Sequence, residues 1–304
     1  MSQKKPQPAG GPGKGILVFV LAMVLLFAST TAVLIFSGLS QGVDLSSILH
    51  SAGGSDGASV DTRLYGTLLF AALAIVIFGL WYRSRFILPY RHIQPTTPRG
   101  FSVLTILTLL LLAFGAQFLS EEIMTALRVP FGDMVGQFTD MSARLFSEAS
   151  LPFLPWIYAI ILGPIAEELI FRGLVYRFAR LKMTFMGANL LQAVLFAVYH
   201  LNLVQGIYAF VIGLIFGFIA SRGRGIRYSI LLHILFNLVA VLGKDFIPSI
   251  TALMPVPVLL ISIGLVIFTM FAFAYEFMPV KRRNPHEQMD YANEDHRYNT
   301  HNRR

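Results

Sequence analysis

Long apolar runs, separated by short polar or basic stretches, dominate the chain. A helix needs roughly 20 mostly apolar residues to cross a hydrocarbon core about 30 Å thick. Eight stretches qualify or nearly qualify: Ile16–Phe36, Leu64–Tyr82, Phe101–Leu119, Leu154–Phe178, Gly187–Val204, Ile207–Ser221, Ile226–Leu242 and Val256–Phe277. The sixth and seventh are short. The pattern predicts an all-α membrane protein, a bundle of about eight transmembrane helices. Between the third and fourth runs lies a long connection, Ser120 to Ser150. After Pro130 its apolar residues Phe131, Met134, Val135, Phe138, Met141 and Leu145 recur at helical spacing, with Asp133, Gln137, Asp140 and Arg144 on the other face. This spacing predicts an amphipathic helix lying on the outer membrane interface.

Basic residues orient the bundle. With the N-terminus in the cytoplasm and each run crossing once, 20 Lys and Arg fall on the cytoplasmic side: Lys4, Lys5, Lys14, Arg83, Arg85, Arg91, Arg99, the Arg172–Lys182 cluster, Arg222, Arg224, Arg227, Lys281, Arg282, Arg283 and the tail arginines. Only Arg63, Arg128, Arg144 and Lys244 fall outside, so the positive-inside rule predicts N-in and C-in. This distribution also accounts for the net charge of +8 without a nucleic-acid partner.

Composition agrees. Charged residues make up 13% of the 304 residues, against roughly 25% in a soluble domain. The length suits one membrane domain, residues 16–283, between a Pro- and Gly-rich N-terminus (1–15) and a polar tail (284–304), both read as disordered. His286, His296 and His301 in that tail are read as part of a solvated end rather than a metal site. The first apolar run exceeds the roughly 7–15-residue core of a signal peptide and is read as a retained span. The absence of cysteine excludes disulfides, Cys-ligated metals and a thiol nucleophile.

A charge inside a bilayer costs roughly 2.5–3.5 kcal/mol on insertion scales and marks function by default. Of the sixteen carboxylates, only Glu167 and Glu168 lie deep in an apolar run, with Glu276 at the end of the last. Of the seven histidines, only His200 and His233 do so. Adjacent helical residues differ by about 100° in direction, so the two glutamates cannot face one point equally. Arg172 follows Glu168 by one turn, a spacing that favours an ion pair and leaves Glu167 the freer base. His233 and Asn237 share a face on the seventh run. A carboxylate that takes a proton from water, beside donors that stabilise an oxyanion, can hydrolyse a carbonyl compound. The same groups can lock helices by hydrogen bonds, or relay protons in a transporter. Transporters of that kind often carry internal repeats, and none is evident here.

Three motifs resemble one family. Glu167-Glu168-Leu169-Ile170-Phe171-Arg172 resembles the EExxxR motif of CAAX prenyl proteases and their bacterial CPBP (ABI) relatives. Phe196-Ala197-Val198-Tyr199-His200 resembles their FxxxH motif, and His233-Ile234-Leu235-Phe236-Asn237 their closing HxxxN/D motif. Order and helix placement also match, over residues 154–242. The resemblance implies an intramembrane endopeptidase. In it Glu167 activates water, Glu168 with Arg172 supports it, and His200, His233 and Asn237 bind the water or stabilise the oxyanion. It also implies a membrane-embedded or lipid-associated peptide as substrate. Prokaryotic relatives are linked to bacteriocin immunity, peptide-signal maturation and protein secretion or display, so a non-catalytic scaffold stands beside the transporter as an alternative.

The family is often labelled a metalloprotease. Glu167, His200 and His233 would make a three-ligand zinc set with an open fourth position. The HExxH arrangement is absent, and Asn237 suits an oxyanion better than zinc, so no cofactor is the preferred expectation. Short loops and the lack of cysteine fit a bacterial cytoplasmic membrane.

Overall fold

A computed structural model describes residues 10–45, 59–90 and 100–277. The histidines and arginines of the tail, Lys281–Arg283, Lys4, Lys5, Arg91 and Arg99 lie outside these residues, as do most of the two end segments read as disordered. Each apolar run forms a helix: α1 (Pro12–Ser40), α2 (Val60–Tyr82), α3 (Val103–Ser147), a composite α4 (Leu154–Arg180), α5 (Phe185–Tyr199), α6 (Leu203–Arg222), α7 (Arg227–Gly243), its bent continuation α8 (Phe246–Leu253) and α9 (Pro255–Glu276). Pro12 opens α1, where a missing N–H costs nothing, four residues ahead of the expected start and inside the segment read as disordered.

The chain is an integral, multi-pass, all-α membrane protein. Among the described residues six helices are long and apolar enough to cross a bilayer, and α7 with α8, bent by 77°, makes a seventh if counted as one span. The eighth expected span is α5, whose 15 residues reach only about 22 Å at 1.5 Å per residue. Exposed side chains report the solvent. Phe36, Leu260, Phe268 and Phe271 are each at least 66% exposed, as lipid-facing residues are and core residues of a soluble protein are not.

The long connection is not a loop. α3 runs to Ser147 and bends at Phe131 (φ −136°, ψ 37°), where Pro130 removes one backbone donor and crowds the preceding turn. The amphipathic helix expected there is this outer arm. Its packed face is Val135 and Phe138, against Val204 and Tyr208 of α6, and Phe146 against Trp156. Met134 and Met141, expected on that face, are 42% and 50% exposed. Glu122, which the sequence placed in the loop, is 9% exposed with Oε1 unpartnered, so it joins the shielded carboxylates.

Two large apolar clusters make up most of the interior among the described residues. One joins α1, α2, α4 and α5 through Val18, Phe70, Phe78, Phe171, Phe178 and Phe196. The other joins α3, α6, α7 and α9 through Leu112, Phe216, Tyr228, Phe236, Val266 and Phe273. Small residues let the helices approach closely, as packing within lipid requires. A Cβ at Gly66 would lie 2.8 Å from the Cα of Thr30 across the α1–α2 crossing, and one at Gly213 would lie 3.2 Å from the Cα of Ala193 across α5–α6. Hydroxyls of Ser102 (3.0 Å) and Thr105 donate to Glu276 Oε1, tying the start of α3 to the end of α9. The polar residues of α4 and α7 meet at the seam between the two clusters.

Gly66→Ala should destabilise the purified protein by about 1–3 kcal/mol, because backbone blocks the new methyl group. Gly264→Ala, with nothing within 4 Å, should be neutral or stabilising. Thermal melts of both variants in one detergent test the contrast, and equal effects would refute the close α1–α2 crossing.

Candidate active site

The site is built on an irregular stretch of α4. Residues Tyr158–Leu162 and Leu169–Val175 are wound with wider π-type turns around a short α-helical segment, Gly163–Glu168. Such turns concentrate at functional sites and have identifiable causes. Here the cause of the first is Pro164. The Gly163 N–H bonds the carbonyl of Tyr158, five residues back. The next carbonyl, that of Ala159, would face the nitrogen of Pro164, which has no hydrogen. Asn237 of α7 fills the gap, its Nδ2 donating to the Ala159 carbonyl at 2.6 Å. A carboxamide from one cluster thus closes a backbone defect in the other.

The glutamates that follow take different environments. Glu168 and Arg172 are both fully buried, and Arg172 Nη1 donates to Glu168 Oε1 at 2.8 Å. Phe196 covers the guanidinium at 4.4 Å and Phe216 at 5.2 Å, contacts that suit a planar cation away from water. Arg172 Nη2 donates to the Gly213 carbonyl at 3.3 Å. Gln192 donates to the same carbonyl at 2.8 Å and to Asn189 Oδ1 at 2.8 Å, while Asn189 donates to the Leu214 carbonyl at 3.0 Å. Polar side chains of α5 therefore brace the segment of α6 that receives the arginine.

His233 spans the two carboxylates. Its Nδ1 lies 3.1 Å from Glu168 Oε1 and its Nε2 3.7 Å from Glu167 Oε2. Glu168 Oε1 already accepts from Arg172, so an ionised Glu168 takes the Nδ1–H of His233 and leaves Nε2 as the nitrogen facing Glu167. Phe216 packs on the imidazole at 4.8 Å and fixes its plane. Glu167 is 8% exposed, against 0% for Glu168. It makes no hydrogen bond among the described residues, and Tyr158, Tyr199 and Tyr208 stand within electrostatic reach of it.

His200 is placed differently from the rest. α5 ends at Tyr199, not at Val204 as the apolar run implied, so His200 is the residue that closes the helix. Leu201 then turns left-handed (φ 52°), and Asn202 caps α6 by accepting from the Gln205 N–H at 3.0 Å. The His200 ring packs edge-on against Phe196 at 4.9 Å and Tyr199 at 5.6 Å. It lies within electrostatic reach of His233 but forms no ion pair with Glu167 or Glu168.

Four of the six expected residues, Glu167, Glu168, Arg172 and His233, thus make direct polar contacts with one another. Asn237 and His200 flank them. A zinc ion would require Glu167, His200 and His233 to converge within about 2.0–2.2 Å of one point. Among the described residues no group of three His, Cys, Asp or Glu is so arranged, and His233 directs both nitrogens at the glutamates.

Several contributors were not foreseen from the sequence: Gln192, Asn189, the Gly213 carbonyl and the three tyrosines. Gln192 and Asn189 were legible in principle, as carboxamides one turn apart within an apolar run.

Residues 149–239 match the family described as type II CAAX prenyl endopeptidase, Rce1-like. A stretch of 81 residues is 32% identical to "Putative membrane peptidase YdiL" of Bacillus subtilis (strain 168), covering 27% of this chain and 33% of that protein. The chain thus matches about a third of the length of this curated relative. No solved structure matches the chain.

The contrast between the glutamates can be measured. Glu168→Ala leaves a buried guanidinium without its partner and should cost about 3–5 kcal/mol of stability. Glu167→Gln should melt close to the parent protein, since it removes no hydrogen bond. Comparable losses in the two variants would contradict the division of roles.

Proposed function

We propose that this chain, whose residues 149–239 carry the Rce1-like CAAX endopeptidase resemblance, hydrolyses a peptide bond of a membrane-embedded or lipid-associated substrate with water activated by Glu167. The observation that carries this reading is the different state of two adjacent carboxylates. Glu168 is held by Arg172 and His233, whereas Glu167 makes no hydrogen bond among the described residues, keeps slight exposure (8%) and meets His233 only at 3.7 Å.

In the reaction, Glu167 takes a proton from water as the water oxygen attacks the carbonyl carbon. His233 Nε2, which faces Glu167, holds the water or shares its proton. The oxyanion receives hydrogen bonds from His200 and from Asn237, whose amide has a second N–H beyond the one given to Ala159. The proton on Glu167 then passes to the departing amine as the C–N bond breaks. Glu168 and Arg172 touch no reacting atom; they fix the imidazole. No metal enters this mechanism. A bacterial cytoplasmic membrane is supported by the bacterial relative and by the clustering of Lys and Arg; both ends of the bundle lie inside when α7 with α8 and the short α5 each count as a crossing.

The test is incubation of purified protein with a library of membrane peptides, with and without chelator, followed by sequencing of the cuts. Glu167→Gln should lower cleavage by at least about 10²-fold with the melting temperature retained. Chelator should have no effect. Cleavage that survives Glu167→Gln refutes the assignment of the base, and chelator inhibition reversed by zinc refutes the metal-free step. A protein that cuts nothing yet moves a solute across liposomes in response to a pH gradient belongs to the transporter class instead.

A further inference from the structure

Behind Arg172 lies an arginine-lined cavity. Its volume is about 210 Å³, and Arg172, Arg177, Arg180, Ser221 and Arg224 line it, with no Asp or Glu among the lining residues. It opens where three helices end together: α4 at Arg180, α6 at Arg222 and α7 at Arg227. The 20 residues of α6 span about 30 Å, the thickness of the hydrocarbon core, so its end lies at headgroup level.

Arginines at helix ends often do no more than cap the last carbonyls. Two here do so in part: Arg180 Nη1 donates to the Met183 carbonyl at 2.6 Å, and Arg177 Nη2 to the Arg224 carbonyl at 3.4 Å. These bonds use one donor each of five, and they hold the guanidinium groups in place. Arg177 is further fixed over the rings of Tyr82 at 5.2 Å and Phe86 at 5.7 Å. Among the described residues no carboxylate pairs with Arg177, Arg180 or Arg224.

A separate observation points to a ligand. Arg172 is fully buried and lines this cavity, and its Nε–H has no hydrogen-bond partner. Buried donors left unpaired are rare and costly. Arg172 gives its Nη donors to Glu168 and Gly213 and keeps an unmet, buried Nε–H in a side chain that also lines the cavity. Arg224 holds a left-handed backbone (φ 56°), a conformation glycine adopts more readily, in a turn where glycines flank it. A charged side chain is thus kept at a position whose backbone favours none.

We infer that this cavity binds a phosphate-class anion, supplied by the headgroup of an anionic phospholipid. Four guanidinium groups, no opposing carboxylate and a depth at the headgroup layer match that chemistry. The cavity adjoins the candidate active site through Arg172, and its occupancy is measured independently of the proposed proteolysis.

The test uses the full chain in nanodiscs of phosphatidylcholine, with or without phosphatidylglycerol, and in detergent with inorganic phosphate. The readouts are melting temperature and lipid retained in native mass spectrometry. Phosphatidylglycerol should raise the melting temperature by on the order of 4 °C, less so at high salt, and should be retained in preference to phosphatidylcholine. Phosphate in detergent should reproduce little of the shift; a full reproduction would assign the site to a free anion and overturn the lipid source. Arg224→Gly keeps the backbone conformation and removes one charge. It should therefore melt no lower than the parent in phosphatidylcholine alone, yet lose at least half of the phosphatidylglycerol response. Arg180→Gln, which also loses the bond to the Met183 carbonyl, should melt somewhat lower in phosphatidylcholine and likewise lose at least half of the phosphatidylglycerol response. An unchanged response in both variants, or no response in the parent protein, overturns the proposal.

Discussion

The ion pair between Glu168 and Arg172 is the interaction on which the centre of this bundle depends. Both partners are wholly removed from solvent, and a buried pair recovers its desolvation cost only when geometry is good and the remaining donors are met. That requirement explains features of the two helices that cover the pair, α5 and α6. Phe196 and Phe216 must lie flat on the guanidinium, so their Cα positions on α5 and α6 are constrained. The Gly213 carbonyl must be reachable, which needs α5 and α6 in near contact, and glycine at that position allows it. Gln192 and Asn189 hold the same stretch of α6. One charged pair on α4 thus dictates packing at a crossing to which α4 does not itself belong.

The same pair makes two neighbouring carboxylates unlike. Successive residues on a helix point about 100° apart, so the group aimed at Arg172 is fixed and the other is turned to the seam. His233 completes the asymmetry by contacting Glu168 at hydrogen-bond distance and Glu167 from farther off. A base that must pick up and release a proton benefits from having few fixed partners, and an orienting group benefits from many.

Which parts of this were legible in the sequence follows from the range of the interactions. Glu168–Arg172 is one turn apart on one helix, so spacing alone exposed it. The approach of α7 was readable only as a tendency, because two ionisable groups in apolar runs need partners somewhere. The target of Asn237 was not readable, although its cause is written locally: Gly163-Pro164 orphans a carbonyl, and only the packed structure says which side chain answers it. The end of α5 was misjudged because apolar residues continue through Leu201 to Val204, where hydropathy cannot distinguish a helix from a capped turn inside the same apolar layer. The outer arm of α3 was expected as a separate amphipathic helix after a loop, because Glu121, Glu122 and Arg128 resemble the end of a span. A helix that leaves the bilayer need not stop, and this one bends at Pro130 and packs its outer arm on α6.

Irregular backbone at membrane depth is tolerated only where protein or trapped water meets its polar groups. The π-type turns of α4 obey that rule at their first defect through Asn237, and this has a consequence for how the site holds together. The bond from Asn237 to Ala159 ties α7 to α4 one helical turn from His233, so the imidazole and the glutamates are referred to the same piece of backbone. Strain that moved α7 along its axis would break the carboxamide bond and the Glu168–His233 contact at once. Two weak anchors, each worth about 1 kcal/mol alone, therefore resist sliding jointly. The seam between two apolar clusters is where helices slip most easily, since lipid tails and side chains are equally apolar and neither favours one register. Placing the polar contacts there supplies register where hydrophobic packing supplies none, and Glu167 takes its alignment from that lock.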